Sequence, residues 1–418
     1  MIANYDILEA WIGPVWAAPK KGDKSKTADR KHIESINGPL AQIGAKSVVC
    51  DESHKLKTRN ALRTKLVKAF ADTVPVRYLL TGTPVLNRPY ELVPQLDILD
   101  RLGDFGGEWR FLRRYCGAAK DDYGHWQMGS NDHESELNDL LRAHCMVRRL
   151  KKDVLKELPP KVRSVVPMEL DNRAEYDKAE HDVANYLAEL AAEKEDFQAS
   201  IAGLPADEQL QLTRARMASV AYKAKRAEVL VRVNTLRQLA AKGKMAAVKA
   251  WVGDFLESGE KLVLFAHHNE TVEALAKAFD APMLYGDTPQ AARQKMVDDF
   301  QSDPECRLIV LNIQAGGVGL TLTAASNVAM VERDWVPGNE EQAEDRCHRI
   351  GVAEGVESVN CWYLMAEGTV DEYMDETVQS KRAVVDAVSN GEAGRAKMSE
   401  SILGDVLKRI SEKAKVVA

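Results

Sequence analysis

No apolar run in the 418 residues approaches the ~18 needed to cross a bilayer, so no membrane partner is expected. The opening residues, Met1 to Trp11, carry acids and no basic start, so no signal peptide is expected. The six cysteines (Cys50, Cys116, Cys145, Cys306, Cys347, Cys361) are scattered and form no C-x-x-C pair. That speaks against a zinc site or a disulfide framework and for reduced thiols. Positive charge is not in surplus: the formal net charge is −6, which excludes a uniformly basic nucleic-acid binder. A local basic groove stays open, because association follows local potential rather than the total. Internal repeats are absent as well.

What is present has the balance of a globular protein, with 45% hydrophobic and 29% charged residues. At about 100–200 residues per domain, two or three domains are expected. Up to about Leu150, short β-like runs such as Lys46–Cys50 and Arg77–Leu80 alternate with amphipathic stretches. From Asp171 to Ala241 the chain is rich in Ala, Glu, Leu and Lys and reads as long helices, broken near Gly203-Leu204-Pro205. From Lys242 to Thr377 the alternation returns. Lys261–Ala266, Arg307–Asn312, Asn327–Glu332 and Val359–Met365 are predicted as buried strands, with Glu270–Phe279 and Gln290–Phe300 as helices between them. The tail after Gln379 is polar and helix-prone, and fraying is expected there.

In an open α/β sheet, chemistry collects beyond the carboxyl ends of the strands. Val48-Val49-Cys50 runs straight into Asp51-Glu52-Ser53-His54. An acid at such a strand end suits Mg²⁺, often held through water, and a second beside it suits an attacking water. Asp51 is therefore assigned to magnesium and Glu52 to the water; a capped helix start would give the same pattern. The next strand ends in Thr81-Gly82-Thr83-Pro84, where Thr81 and Thr83 suit a link from nucleotide to polymer, or an ordinary turn.

Further along, Gln342, Arg346 and Arg349 are spaced i, i+4, i+7 and would share one helical face. Two guanidiniums there can stabilise charge on a transferred phosphoryl group across a cleft, or simply solvate a surface helix with Glu344 and Asp345. Upstream, Gln314-Ala315-Gly316-Gly317-Val318-Gly319-Leu320-Thr321 offers close backbone approach to phosphate through Gly317 and Gly319, though glycines also serve plain turns. Trp335 follows another strand end and reads either as a wedge against a base or as a cap on the core.

Taken in order, these segments resemble a superfamily-two helicase-like motor of the SWI/SNF type. Asp51–His54 is similar to that family's second motif, a DEAH-like box. Thr81-Gly82-Thr83-Pro84, with Asn87 and Glu91-Leu92, resembles the third. Gly316–Thr321 resembles the fifth and Gln342–Gly351 the sixth. Asn4-Tyr5-Asp6 looks like the block before the second motif. Val147–Leu155 followed by Leu158-Pro159-Pro160-Lys161 resembles the inter-lobe block peculiar to the family. Arg114-Tyr115-Cys116 and Phe265-Ala266-His267-His268 resemble its annealing-helicase branch. Ser53, Val336 and Val352 depart from the usual residues.

The resemblance implies an α/β fold of two RecA-like parallel-sheet lobes with helical insertions between them, the first lobe incomplete. It divides the chain into residues 1–157, a connecting helical region 158–241, a second lobe 242–378 and a helical tail 379–418. It implies an ATP- and Mg²⁺-using DNA translocase acting on duplex or branched DNA. Catalytic roles fall on Asp51, Glu52, His54, Gln342, Arg346 and Arg349. Cofactor contact falls on Gly317 and Gly319, and DNA contact on Thr81, Thr83, His267, Thr321 and Trp335.

One part is missing. No G-x-x-x-x-G-K-[ST] occurs anywhere, and that loop and its lysine carry much of the phosphate binding. Lys20–Thr27 is basic but wrongly spaced, and Lys242-Gly243-Lys244-Met245 lacks the hydroxyl. The expectation is an N-terminally shortened chain, inactive alone, with the missing segment lost or supplied by a separate chain. The alternative is a non-catalytic DNA-binding or scaffold protein. With no appended chromatin-reading or nuclease module, a bacterial or phage protein of the cytoplasm is expected, or a nuclear one if eukaryotic.

Overall fold

The computed structural model describes residues 3–16, 33–86, 88–120, 126–127, 133–316, 319–352, 355–390 and 402–417. The chain divides into two units: Met1–Ala119 with Trp126–Arg148 and Arg382–Met398, and Lys120–His125 with Arg149–Lys381 and Ser399–Ala418.

In the first unit, β1 (Pro14–Trp16) pairs antiparallel with β2 (Ile33–Ile36). The expected strands are present as β3 (Ser47–Cys50) and β4 (Val76–Leu79), paired in parallel with Val49 opposite Tyr78. Their inner side packs on a core of Leu8, Ile12, Leu56, Leu66, Val67 and Phe70. The other side is bare: Val49 and Tyr78 are 56% and 55% exposed. A two-stranded parallel sheet with one apolar face in water is a fragment of the layered sheet that such folds bury on both sides. Three helices, Leu92–Ile98, Glu108–Tyr115 and Glu134–His144, close a second core around Phe111 and Leu137. Val385 and Val388, near the end of the helix Val370–Asn390, complete it.

The second unit holds a six-stranded, all-parallel sheet. Its strands are β5 (Lys161–Met168), β6 (Leu262–Ala266), β7 (Met283–Leu284), β8 (Leu308–Asn312), β9 (Asn327–Met330) and β10 (Val359–Ala366), in the order β5-β10-β9-β6-β8-β7. Leu262 to Ala266 are all buried, as expected of a central strand covered on both faces. One apolar cluster lies around Phe265, Ile309 and Met330, the other around Leu264, Val310 and Ala329. The four strands read from sequence are present. β5, within the stretch read only as a connection, pairs along its whole length with β10, Val359 opposite Lys161.

The helical region breaks where expected: Arg173–Ile201 ends before Gly203-Leu204-Pro205 and Ala206–Ala218 follows. A second break falls at Ser219, whose hydroxyl accepts the amide of Tyr222 at 3.2 Å and caps the helix Val220–Gly243. The tail does not simply fray. The helix Ile402–Val417 seats Val406 and Ile410 in the helical core, and Lys413 Nζ donates to Glu180 Oε2 at 2.6 Å. Among the described residues, no helix is long and apolar enough to cross a membrane.

Candidate functional site

The Asp51-Glu52 pair stands at the carboxyl end of β3. Leu80 N donates to Cys50 O at 2.8 Å and Ser53 N to Leu80 O at 3.0 Å, so both strand ends are tied together where the acids emerge. Tyr5 Oη donates to the Asp51 carbonyl at 2.8 Å, which ties the Asn4-Tyr5-Asp6 block to the same point. Asp51 is exposed, and its Oδ1 accepts the Glu52 amide at 2.9 Å. Glu52 sits in the left-handed region at φ 49°, ψ 47°. For a non-glycine residue that costs of order 1–2 kcal/mol and is found where a site over-determines the backbone.

Glu52 Oε2 lies 3.1 Å from His54 Nδ1, and the same nitrogen lies 3.2 Å from Thr81 Oγ1. Thr81 Oγ1 also accepts the Thr83 amide at 3.1 Å. The histidine and both threonines thus form one hydrogen-bonded chain, with the Glu52 carboxylate within ion-pair distance of it. Burial pushes the His54 imidazole below its usual pKa, with Glu52 pulling the other way. Ser53 is fully buried and donates to Gln95 Oε1 at 3.1 Å, so the hydroxyl that departs from the family pattern has a partner.

In the second unit, Gly319 has φ +72° and open space where a Cβ would sit, so the backbone there is accessible. Gly317, and Asn87 of the third motif, lie outside the described residues, as does Lys20–Thr27. Arg346 Nη1 donates to Leu320 O at 3.2 Å; Arg349 Nη1 donates to the same oxygen at 3.4 Å and to Thr321 Oγ1 at 3.2 Å. The arginines and the glycine loop therefore meet. They do so without the single helical face expected. The helix is Pro337–Glu344; it holds Gln342 but stops before Arg346 and Arg349, which lie in turns.

Glu344, the last residue of that helix, is fully buried: it accepts Arg163 Nε at 2.8 Å, Arg163 Nη2 at 2.6 Å and Lys161 Nζ at 2.9 Å, and the Tyr363 hydroxyl at 2.5 Å. Lys161 also reaches Asp345 Oδ1 at 2.9 Å. Desolvation alone would weaken Lys161 as a base-bound cation, but the two carboxylates hold it well above its usual pKa. The inter-lobe block is drawn into the same cluster: Lys151 Nζ lies 2.7 Å from Asp345 Oδ2, and His348 Nε2 lies 2.9 Å from Pro159 O.

His267 stands past the end of β6. Its amide and that of His268 donate to Glu332 Oε2 at 3.0 and 3.1 Å, and His268 Nδ1 contacts Glu332 Oε1. Burial would raise the Glu332 pKa, but these bonds and the imidazole hold it down at about 2. His267 Nδ1 lies 3.7 Å from Asp334 Oδ2. Trp335 is half-buried against the helical core, with the Arg237 guanidinium 5.1 Å from its ring centre. Lys244 is fully buried and donates to Asp371 Oδ2 at 2.5 Å and to Leu364 O at 2.8 Å, a structural ion pair. Among the described residues all six cysteines are free, and burial pushes the Cys116 and Cys361 thiols up to about 12. Sequence reasoning missed Lys161, Arg163, Glu344 and Glu332. Charged residues flanking a Pro-Pro joint or ending a strand were the available signal.

The SNF2-related domain family matches residues 1–211, and the helicase conserved C-terminal domain matches residues 243–351. The mouse DNA annealing helicase and endonuclease ZRANB3 is 34% identical over 376 residues, covering 88% of this chain and 32% of that protein. The Xenopus tropicalis SWI/SNF-related matrix-associated actin-dependent regulator of chromatin subfamily A-like protein 1 is 32% identical, covering 85% of this chain and 34% of that protein. This chain thus spans about a third of the length of those two relatives. The solved Sulfolobus solfataricus SWI2/SNF2 ATPase core in complex with dsDNA aligns over 84% of this chain and 70% of that one, at 23% identity and a TM-score of 0.38. With the SNF2-related match running over half of its length and the helicase C-terminal match following it, the chain belongs to the SNF2-related family.

Proposed function

We propose that the chain is the ATPase part of a motor that tracks along double-stranded or branched DNA. The observation that carries this is the ordered acidic site at the end of β3. There the Asp51–Glu52 pair and the His54-Thr81-Thr83 chain are each joined by hydrogen bonds, Glu52 stands 3.1 Å from His54, and the region matches the SNF2-related family. Asp51 suits Mg²⁺: it is an exposed hard-oxygen ligand, and its Oδ2 has no hydrogen-bond partner among the described residues. One carboxylate is sufficient where nucleotide and water supply the other ligands. Glu52 positions the attacking water. Arg346 and Arg349, with Gln342, offset charge on the transferred phosphoryl group, and the loop at Gly317 and Gly319 approaches phosphate. Thr81, Thr83, His267, Thr321 and Trp335 serve the DNA. The mouse and Xenopus tropicalis relatives are eukaryotic, which favours a nuclear setting over a bacterial or phage-infected cytoplasm.

The 418 residues hold no G-x-x-x-x-G-K-[ST] loop, so the motor is tested with such a segment supplied, against a DNA-binding scaffold as the other outcome. ATP hydrolysis, measured with and without linear duplex and with a strand–G-x-x-x-x-G-K-[ST]–helix segment supplied, separates the two. Duplex-stimulated hydrolysis that vanishes in Glu52→Gln supports the motor. Duplex binding without hydrolysis, even with that segment present, overturns it in favour of the scaffold.

A further inference from the structure

Past the end of β6, the rings of His267 and His268 stand edge to face, their centres 5.0 Å apart, but their nitrogens are placed differently. Both ring nitrogens of His268 have partners: Nδ1 meets Glu332 Oε1, and Nε2 lies 3.4 Å from Asn234 Oδ1. The His267 ring makes no hydrogen bond among the described residues. Its Nδ1 is buried, 3.7 Å from Asp334 Oδ2, and Nε2 is the nitrogen left open to water.

Asp334 is fixed from its other side. Its Oδ1 accepts the Val336 amide at 2.7 Å and Asn339 Nδ2 at 3.1 Å, and its own amide donates to Glu340 Oε1 at 3.0 Å. Arg333 clamps Glu340 in turn, through Nε at 2.8 Å and Nη2 at 2.9 Å. Asp334 Oδ2 remains, buried and with no donor on it among the described residues. A buried acceptor left so costs roughly 1–3 kcal/mol, and His267 Nδ1, bearing a proton, is within reach of it. The other groups around His267 are Glu332, whose Oε2 accepts its amide at 3.0 Å, the His268 ring, and Asn312, whose Nδ2 donates to its carbonyl at 2.7 Å. Arg237, on the helix Val220–Gly243, acts by its charge on both Glu332 and Asp334.

We infer that Asp334 is a positioning residue for His267, holding it as the imidazolium that grips one phosphate of duplex DNA. This rests on the reading of the chain as a DNA-tracking motor. With its Nδ1–H turned to Asp334, a neutral ring offers Nε2 only as an acceptor, which a phosphate oxygen cannot use. To donate there, the ring takes one proton from the medium at Nε2 and then bridges two anions, the carboxylate and the phosphate. Each anion favours the charged ring. Phosphate binding and proton uptake are therefore linked, and duplex affinity rises as pH falls.

The test is binding of a short blunt duplex to the whole chain from pH 8 to pH 6 at constant salt, because phosphate contacts are salt-sensitive. Wild-type affinity is expected to rise about fivefold over that range, where an imidazole titrates. His267→Gln keeps a donor without a titrating ring and is expected to show almost no pH slope. Asp334→Asn sets an amide donor opposite Nδ1, which selects the neutral ring with its proton on Nε2. Its affinity at pH 6 is expected to fall several-fold and its slope to flatten. His268→Gln is expected to keep the wild-type slope. A flat wild-type profile, a slope that persists in His267→Gln or in folded Asp334→Asn, or one that vanishes in His268→Gln overturns the proposal and leaves DNA tracking standing. A wild-type chain that binds no duplex at any pH in the range overturns both.

Discussion

The Glu52 carboxylate stands 3.1 Å from Nδ1 of His54, and it is carried there by a backbone at φ 49°. A carboxylate placed at the cost of strain leads to opposite effects on stability and on chemistry. Glu52→Gly should raise stability by about 1 kcal/mol, because glycine occupies the left-handed region freely. In the completed motor, hydrolysis should fall by about 10²–10⁴-fold in both Glu52→Gly and Glu52→Gln. Denaturant titration and ATP turnover on the same samples check both halves. A Glu52→Gly variant less stable than wild type would refute the strain argument.

His54 supplies a pH signature. Burial lowers its pKa, so the unfolded chain binds the proton more readily than the folded one. Its contribution is intact above the unfolded value of about 6.5 and is lost as pH falls below it. Melting temperature should therefore decline from pH 7 to pH 5, and His54→Asn should flatten that slope. An unchanged slope would place the titration elsewhere.

Arg346 and Arg349 share the Leu320 carbonyl but differ in exposure, Arg346 buried at 9% and Arg349 exposed. Arg349→Ala should leave stability within about 0.5 kcal/mol, as surface changes do, while reducing hydrolysis by about 10²-fold or more in the completed motor. Arg346→Ala should also cost roughly 1–3 kcal/mol, through lost packing and a carbonyl left without one of its donors. Equal stability loss in both variants would contradict the difference in burial.

Glu344 should be the most sensitive acid in the second unit. Glu344→Gln leaves Arg163 facing a neutral group and Lys161 with Asp345 alone, at a cost of roughly 3 kcal/mol. Lys161→Met, which keeps the stem and removes one cation, should cost less because Arg163 still neutralises the acid. Chemical denaturation of the two variants ranks them, and the reverse order would show that Lys161 is the principal partner.

Much of this was legible in the chain. β6, β8 and β9 are continuous apolar runs because helices cover both faces of their sheet, and Asp51-Glu52 announces itself by following such a run. β5 was not legible: Lys161-Val162-Arg163-Ser164 alternates, and Pro167 argues against a strand. It is tolerated because β5 is the edge of the sheet and pairs only with β10. β7, with two residues, is too short to carry a pattern. The helix expected through Arg349 stops at Glu344, and local spacing could not reveal that Glu344 is held by cations about 180 residues earlier, Lys161 and Arg163. That both arginines reach the glycine loop, at Leu320 and Thr321, was not legible either, because it depends on where the turns lead.

The grip of Glu344 and Asp345 on Lys151, Lys161 and Arg163 has a mechanical meaning. With His348 held at the Pro159 carbonyl, the turns bearing the arginines and the segment through the two prolines are riveted at several points. Within this joint the Lys161–Glu344 pair is the one sheltered from water, so raising the salt concentration should loosen the exposed Lys151–Asp345 pair before it.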